Sequence, residues 1–405
     1  MKFVAVTDAP GECRLPMPGI AAVAAPDYLL DPGWREARDF RVLNLCRSRG
    51  YQRYGYYVSL LAEARGHHPI PGVHLMKDYG GLDPSRLLVA GAQRCWERLR
   101  APRTLGKDYA IAILRDREES CPASNDKAIE KFRAAALALG IRSEILGRRD
   151  IRRLPDFDGL FIRDNTFVRH YTYRFSRRAA DAGLVVIDDP DSILRCNSKV
   201  YLAELLPRHA IPTPRTMIVN RESMDGVGAA LGLPCVLKRP DSSLSLGVVR
   251  AESEAELRDA AARMLEESDL IVAQEYMPTE FDWRIGILAG RPLFACKYHM
   301  VPGHWQIVRH VPGRHYEEGR TEALPLDAAP RAALDLALRA TRLIGDGFYG
   351  VDLKEIAPGD FRLIEINDNP NVDDGNEDGV LGDALYAEVI GVFAARMAQR
   401  RRCLP

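Results

Sequence analysis

The 405-residue sequence lacks the marks of several protein classes, and each gap narrows the field. It has no surplus of charge: Lys+Arg and Asp+Glu both number 56, so the formal net charge is zero. A chain that holds nucleic acid by neutralising phosphates carries a basic balance or a basic face, and nothing at whole-chain level asks for nucleic acid here. It has no long apolar run. GIAAVAA (19–25) is stopped by Pro26, far short of a membrane span. The opening MKFVAVTD runs straight into Asp8 and reads as a first strand rather than a signal peptide. Cysteine is sparse and scattered, 8 residues (Cys13, Cys46, Cys95, Cys121, Cys196, Cys235, Cys296, Cys403) with no C-x-x-C pair. That pattern excludes a disulfide scaffold and a zinc ribbon, and predicts reduced core thiols in a cytoplasmic protein. G-x-S-x-G and H-E-x-x-H are missing, so no covalent serine nucleophile or zinc hydrolase is marked. No internal repeat or low-complexity segment is present.

What remains is an ordinary globular composition, 46% hydrophobic and 28% charged, of a length that predicts two or three domains. The first half alternates short β-branched runs with helical patterns, which predicts βαβ units and a largely parallel sheet. Strands are expected at 3–7, 41–45, 109–114, 159–162 and 184–187, and helices at 56–65 and 126–139, the latter ending at Gly140. A boundary falls within 99–107. From about Cys196 strands come as hairpins: PCVLK with LGVVR, WRIGILA with PLFACKY, FYGVDLKEI with FRLIEIN. Helices at 199–209, 254–267 (capping box Ser253-x-x-Glu256) and 331–344 separate them. The fold class expected is an α/β half followed by an α+β half, its helices on one side of antiparallel sheets.

The last hairpin turns at APGD (357–360), so Ile356 should face Phe361 and, counting back, Asp352 should lie opposite Glu365. Asn367 shares that face. Like charges directly across a sheet are destabilising, so two carboxylates and an amide there point to a hard cation, Mg²⁺ or Mn²⁺. The middle hairpin, with Ala289 facing Pro292, puts Arg284 opposite Lys297 and Asp282 opposite His299. Two cations across from each other predict an anion between them, a phosphate or a carboxylate.

Lys238 ends an apolar strand and precedes PDSSLSLGV, a segment whose backbone N–H groups suit a phosphate flap. Lys199 opens a helix and reaches toward the same phosphates. Gly345-Asp-Gly347-Phe-Tyr-Gly350 matches G-x-G-x-x-G, but a helix precedes it and a strand follows, the reverse of the dinucleotide fingerprint. His299, His304, His310 and His315 are not spaced as zinc ligands. His67 and His68, GRRDIRR (147–153) and Arg400 to Arg402 read as exposed or solvated groups.

The order Lys199, Lys238, QEYM (274–277), FDWRIGIL, Lys297, Asp352 and LIEINDNPNVD resembles the ATP-grasp superfamily, most closely the RimK-type ligases that add glutamate to an amine or a protein terminus. The resemblance covers 157 to the end. NLCRSRGYQRYGYYVSLLAEARGH (44–67) resembles the extra N-terminal domain of one RimK-like subgroup. Together these imply an N-terminal domain over 1–104, a pre-ATP-grasp α/β domain over 105–195 and a two-lobed ATP-grasp domain over 196–405. The resemblance implies that Lys199 and Lys238 bind ATP phosphates. It places adenine at backbone groups of Glu275 and Tyr276, at the hinge between lobes, and Asp282 near the ribose. It gives Arg284 and Lys297 the transferring phosphate and the acyl phosphate. Asp352, Glu365 and Asn367 would ligate two Mg²⁺ ions, or Mn²⁺. The flap DSSLSLGV is poorer in glycine than the usual RimK-type loop.

The implied reaction joins a carboxylate to an amine with ATP. Positioning and electrostatics dominate such chemistry, so a missing nucleophile is expected. Arg284 and Arg163 are candidates for the substrate carboxylate and HWQIV (304–308) for the acceptor pocket. Partners expected are small-molecule or peptide substrates, an amino acid such as glutamate among them, with neither nucleic acid nor membrane; a homo-oligomer stays open. Two other readings stay open as well, an ATP-grasp kinase acting on a hydroxyl and a nucleotide-binding regulatory protein without turnover.

Overall fold

The computed structural model describes residues 2–9, 20–37, 40–74, 109–241, 246–310 and 317–402. The boundary at 99–107, flap positions 242–245, Cys13, Cys95, Cys403 and His315 lie outside the described residues.

In chain order the strands are β1 (Lys2–Thr7), β2 (Ala21–Ala24), β3 (Phe40–Asn44), β4 (Ala110–Leu114), β5 (Arg142–Leu146) and β6 (Gly159–Ile162). They continue with β7 (Val185–Ile187), β8 (Thr216–Val219), β9 (Cys235–Lys238), β10 (Val248–Ala251), β11 (Ile271–Glu275) and β12 (Phe281–Leu288). The last are β13 (Arg291–His299), β14 (Val308–Arg309), β15 (Glu317–Glu318), β16 (Thr321–Leu324), β17 (Phe348–Ala357) and β18 (Asp360–Asn367). The parallel sheets β2-β1-β3 and β5-β4-β6-β7 precede the antiparallel sheets β10-β9-β11-β8 and β16-β13-β12-β17-β18. The expected class, α/β followed by α+β, is therefore the observed one. All three expected hairpins form. Among the described residues no helix is long and apolar enough to cross a membrane.

By packing, the described residues before position 75 fold together with 198–241 and 246–276, while 109–197 fold together with 277–402. In the first unit, Val4, Ala5 and Val6 of β1 are fully buried. The helix Tyr54–Arg65 is stopped by Gly66 at φ 71°, a left-handed conformation that glycine adopts without a Cβ penalty. Its last residue, Arg65, forms a buried ion pair with Glu204 on the helix Lys199–Arg208, Nε to Oε1 at 2.9 Å. The antiparallel sheet buries Val219, Leu237 and Ile271 against Leu257 and Ala261 of the helix Glu254–Glu267. Ser253 caps that helix by accepting the Glu256 N–H at 3.3 Å, and the Glu256 carboxylate returns to the Glu252 N–H at 2.8 Å.

In the second unit one apolar core runs from β4 and β6 to the C-terminal helix Asp383–Arg402. Phe132 sits edge-on between Phe161 and Tyr386, with centroids 4.9 and 4.7 Å away. Such edge-to-face pairs add to area burial.

Of the residues read as exposed or solvated, His67 proves buried, whereas Arg148 and Arg400 are exposed as expected and also make defined contacts. His67 is fully buried, with its ring nitrogens 2.9 Å from Tyr28 Oη and 3.1 Å from Ala37 O. Its neighbour His68 is exposed, as expected. Arg148 pairs with Asp116 at 3.1 Å and lies over the Tyr171 ring. Arg400 donates to Gly183 O at 2.7 Å, closing the turn before β7. In each case partners distant in sequence give the charge or ring a place that local patterning does not show.

Candidate active site

The last hairpin builds the anionic part of the site. Asp352 lies opposite Glu365 and Gly350 opposite Asn367, so all three expected cation ligands share one face. The count from the turn reaches this register by two compensating departures. At the tip Glu355, not Ile356, faces Phe361, and a bulge between Asp352 and Leu353 restores the offset.

The middle hairpin departs from expectation. Its turn is Ala289-Gly290, both at positive φ (48° and 71°), so Leu288 pairs with Arg291. A bulge after Gly286 then sets Arg284 opposite Cys296, Trp283 opposite Lys297, Asp282 opposite Tyr298 and Phe281 opposite His299. A Cβ at Gly286 would come within 2.4 Å of the Phe294 ring, so this strand position needs glycine. The one-residue offset moves Lys297 to the other face. There its ammonium lies 4.7 Å from the Phe281 ring centroid and 5.2 Å from that of Trp283, a cation–π setting. Arg284 and Lys297 therefore do not flank a common anion.

Arg284 instead meets the carboxylates. On its other edge β12 pairs with β17, Arg284 directly opposite Asp352. The guanidinium forks onto that carboxylate, through Nε to Oδ1 and through Nη2 to Oδ2 at 2.8 Å. Asn367 adds an N–H to Asp352 Oδ2 at 3.1 Å and another to Gly350 O at 3.3 Å. Gly350 is required here: a Cβ would stand 3.0 Å from Arg284 Cδ and 2.9 Å from Pro370 Cβ. Burial raises the Asp352 carboxyl pKa, Arg284 opposes the rise, and Glu365 and Asp282 add to it. Asp282 is paired with Lys354 Nζ at 2.6 Å.

Two residues on this face were not singled out from sequence. The Tyr298 ring lies 4.7 Å from the Arg284 guanidinium, and its hydroxyl donates to Glu377. Burial pushes the Glu377 carboxyl up to about 7, with Tyr298 and the Asp373 N–H opposing the rise. Glu377 lies in the acidic, glycine-containing stretch after E-x-N-x-x-P, where no periodic signal marks a single position.

Among the described residues no group of three or more His, Cys, Asp or Glu side chains gathers as a metal cage. Neither His299, 3.2 Å from Glu322, nor His304, 3.2 Å from Gln306, belongs to one. The chemistry of the donor set nevertheless fits Mg²⁺ or Mn²⁺, since two carboxylates and an amide on one face supply oxygen ligands. Both Asp352 oxygens face Arg284, whereas the amide oxygen of Asn367 is the end not donated.

The remaining candidates lie in the first unit. Lys238 ends β9 and donates to Gln274 Oε1 at 2.7 Å. Lys199 opens its helix after the Ser198 cap, and its backbone N–H donates to Pro240 O at 2.7 Å. Glu275 ends β11, with its carboxylate gripping the Arg215 N–H and Nε at 2.7 and 2.6 Å. Tyr276 lies under the Arg250 guanidinium, 4.9 Å from its ring centroid.

Arg163, a candidate carboxylate fork, is fully buried. It holds Ser124 Oγ at 3.0 Å, Asn369 Oδ1 at 2.7 Å, Pro370 O at 2.7 Å and also Ala123 O. It anchors the E-x-N-x-x-P segment and offers no fork to a ligand.

Residues 25–113 match the family described as the RimK-like ATPgrasp N-terminal domain. The "Probable alpha-L-glutamate ligase 2" of Shewanella sp. (strain W3-18-1) is 26% identical over 229 residues, 55% of this chain and 72% of that protein. The corresponding protein of Aeromonas salmonicida (strain A449) is 23% identical over 225 residues, again 55% and 72%. The RimK domain ATP-grasp protein from Sphaerobacter thermophilus superposes with a TM-score of 0.53 at 15% identity, over 70% of this chain and 99% of that one. D-cycloserine synthetase DcsG superposes at 0.55 and 17%, over 71% and 99%. The D-alanine–D-alanine ligase from Bacillus anthracis superposes at 0.54 and 13%, over 73% and 99%. The chain thus has the fold of the ATP-grasp ligases, carries a segment that matches the RimK-like ATPgrasp N-terminal domain, and is similar to probable alpha-L-glutamate ligases.

Proposed function

We propose that this chain is a carboxylate–amine ligase that uses Mg-ATP, joining an amino acid, glutamate foremost, to an amine of a small molecule or peptide. The observation that carries the reading is the single sheet face holding Arg284, Asp352, Glu365 and Asn367. Two of the three guanidinium nitrogens of Arg284 are fixed on Asp352, so the group is held in one orientation, and Nη1 is the nitrogen that would meet an anion. Arg284 stabilises charge on the transferring phosphoryl group and on the acyl phosphate. Glu365, Asn367 and, once its fork on Arg284 loosens, Asp352 would hold the cation. A bound Mg²⁺ neutralises phosphate charge there. Lys199 and Lys238 take the phosphates, backbone groups of Glu275 and Tyr276 hold adenine, and Asp282 lies toward the ribose.

A substrate carboxylate oxygen attacks the γ-phosphorus and ADP leaves. The amine nitrogen then attacks the acyl carbon, phosphate leaves with the electron pair of the C–O bond, and the nitrogen gives up a proton. Lys297, on the opposite face, takes no part.

The test is phosphate release from Mg-ATP against a panel of amino acids and small peptides, with Glu365→Ala as control. Release that requires both an acid and an amine, yields a new amide mass and is lost in Glu365→Ala supports the ligase. A phosphate ester as product would replace it with a kinase.

A further inference from the structure

The matched N-terminal domain is tied to the end of the strand that carries Lys238. Three contacts within the first unit meet at residues 238–241. The Lys199 N–H donates to Pro240 O at 2.7 Å, the Arg239 N–H donates to Gly247 O at 2.9 Å, and the Tyr51 hydroxyl donates to Asp241 Oδ2 at 2.9 Å. Tyr51 lies within the matched domain, residues 25–113, far from Asp241 in sequence.

The segment presenting that hydroxyl is locked. The Tyr51 ring packs on Tyr56 with centroids 5.0 Å apart. Next to it, the Gln52 carbonyl accepts the Asp269 N–H at 3.0 Å, and Asp269 Oδ2 accepts the Tyr54 N–H at 2.7 Å. One helical turn on, Tyr57 Oη and Ser268 Oγ are 2.8 Å apart. Burial, then Tyr56 and Asp241, push the Tyr51 phenol well above its ordinary value, so it stays protonated and acts as a donor at neutral pH.

A carboxylate three residues after a phosphate-binding lysine repels an incoming polyphosphate unless a donor fixes it and draws off part of its charge. We propose that Tyr51 is a positioning residue for the ATP phosphates: through its hydroxyl the N-terminal domain holds the Asp241 carboxylate, and with it the turn that carries Lys238 and receives the Lys199 N–H. This rests on the assignment of Lys199 and Lys238 to the phosphates. It gives the N-terminal domain a part in nucleotide binding rather than in recognition of the acceptor.

Calorimetric titration of the full chain with Mg-ATP, Mg-ADP and AMP tests the role. Tyr51→Phe should raise the Kd for ATP and ADP about tenfold, or about 1.4 kcal/mol, and leave that for AMP within about twofold. In an Asp241→Asn background, where no carboxylate needs holding, Tyr51→Phe should change the ATP Kd less than about twofold. Arg53→Ala removes a separate contact of the domain, Arg53 Nη1 to Asp269 at 3.1 Å, and should leave ATP affinity intact. Tyr51→Phe with unchanged ATP affinity, with equal weakening of ATP and AMP, or with an effect additive to Asp241→Asn overturns the role while leaving the ligase reading standing. A Lys238→Ala variant that binds ATP as tightly as wild type overturns the lysine assignment, and this role with it.

Discussion

Asp352→Asn should be among the most damaging conservative substitutions in the chain. The Arg284 and Asp352 side chains are 9% and 11% exposed. An asparagine keeps the shape but removes the charge that Arg284 faces, and turns one acceptor into a donor aimed at a guanidinium that has only donors. Removing one partner of a buried pair costs about 3–5 kcal/mol, because the other charge stays buried without compensation. A surface pair would cost about 1 kcal/mol or less. Urea unfolding followed by the fluorescence of Trp283, next to Arg284 on β12, reads the loss in the unit that contains it. Arg284→Met should cost a similar amount. The double variant should cost less than the sum of the singles by about 2 kcal/mol or more, since neither charge is then stranded. Single losses below about 1 kcal/mol that add in the double variant would refute a buried, coupled pair.

Three further outcomes follow from named contacts. Gly350→Ala places a Cβ 2.9 Å from Pro370 Cβ and 3.0 Å from Arg284 Cδ, so it should cost about 1–3 kcal/mol and displace Arg284. Phosphate release per folded molecule should fall about tenfold, and an unchanged kcat would contradict the placement of Arg284. Burial pushes the Asp164 carboxyl up to about 6. Its neutral form is the one the fold favours, so its stabilisation is present below about pH 4 and is lost as pH rises through about 6. Wild type should therefore lose about 1 kcal/mol relative to Asp164→Asn between pH 5 and 7.5, read from urea midpoints. Parallel pH profiles would count against the shift. Arg163→Met strands Asn369 Oδ1 and Pro370 O, both 2.7 Å from the guanidinium, and should cost about 3 kcal/mol or more without raising the KM for the carboxylate substrate. A raised KM at unchanged stability would return Arg163 to the substrate site.

Much of the fold was legible because local signals agreed. Ser253 caps its helix as the capping box predicts, and the last two hairpins turn through Gly290 and Gly359. The Asp352–Glu365 pair was legible from a period of two, although two departures had to cancel for the count to land. The Arg284–Lys297 pair was not, because the tight Ala289-Gly290 turn shifts the register by two and the bulge after Gly286 makes up only one. No hairpin count could find Arg284 opposite Asp352, since β12 and β17 are joined across more than fifty intervening residues. Arg163 and His67 were misread for a related reason. A lone cation or imidazole in sequence carries no sign of the distant carbonyls that bury it, here Pro370 O and Ala37 O.

The central claim is that the face bearing Arg284, Asp352, Glu365 and Asn367 makes an amide at the expense of ATP. Mass analysis of reactions holding Mg-ATP, glutamate and a panel of amine acceptors, beside the same reactions with Glu365→Ala, tests it most directly. The account predicts an amide product formed in equal amount with phosphate and ADP, and none from the variant. Amide formation undiminished in Glu365→Ala, or ATP consumed to give a phosphate ester, would contradict it.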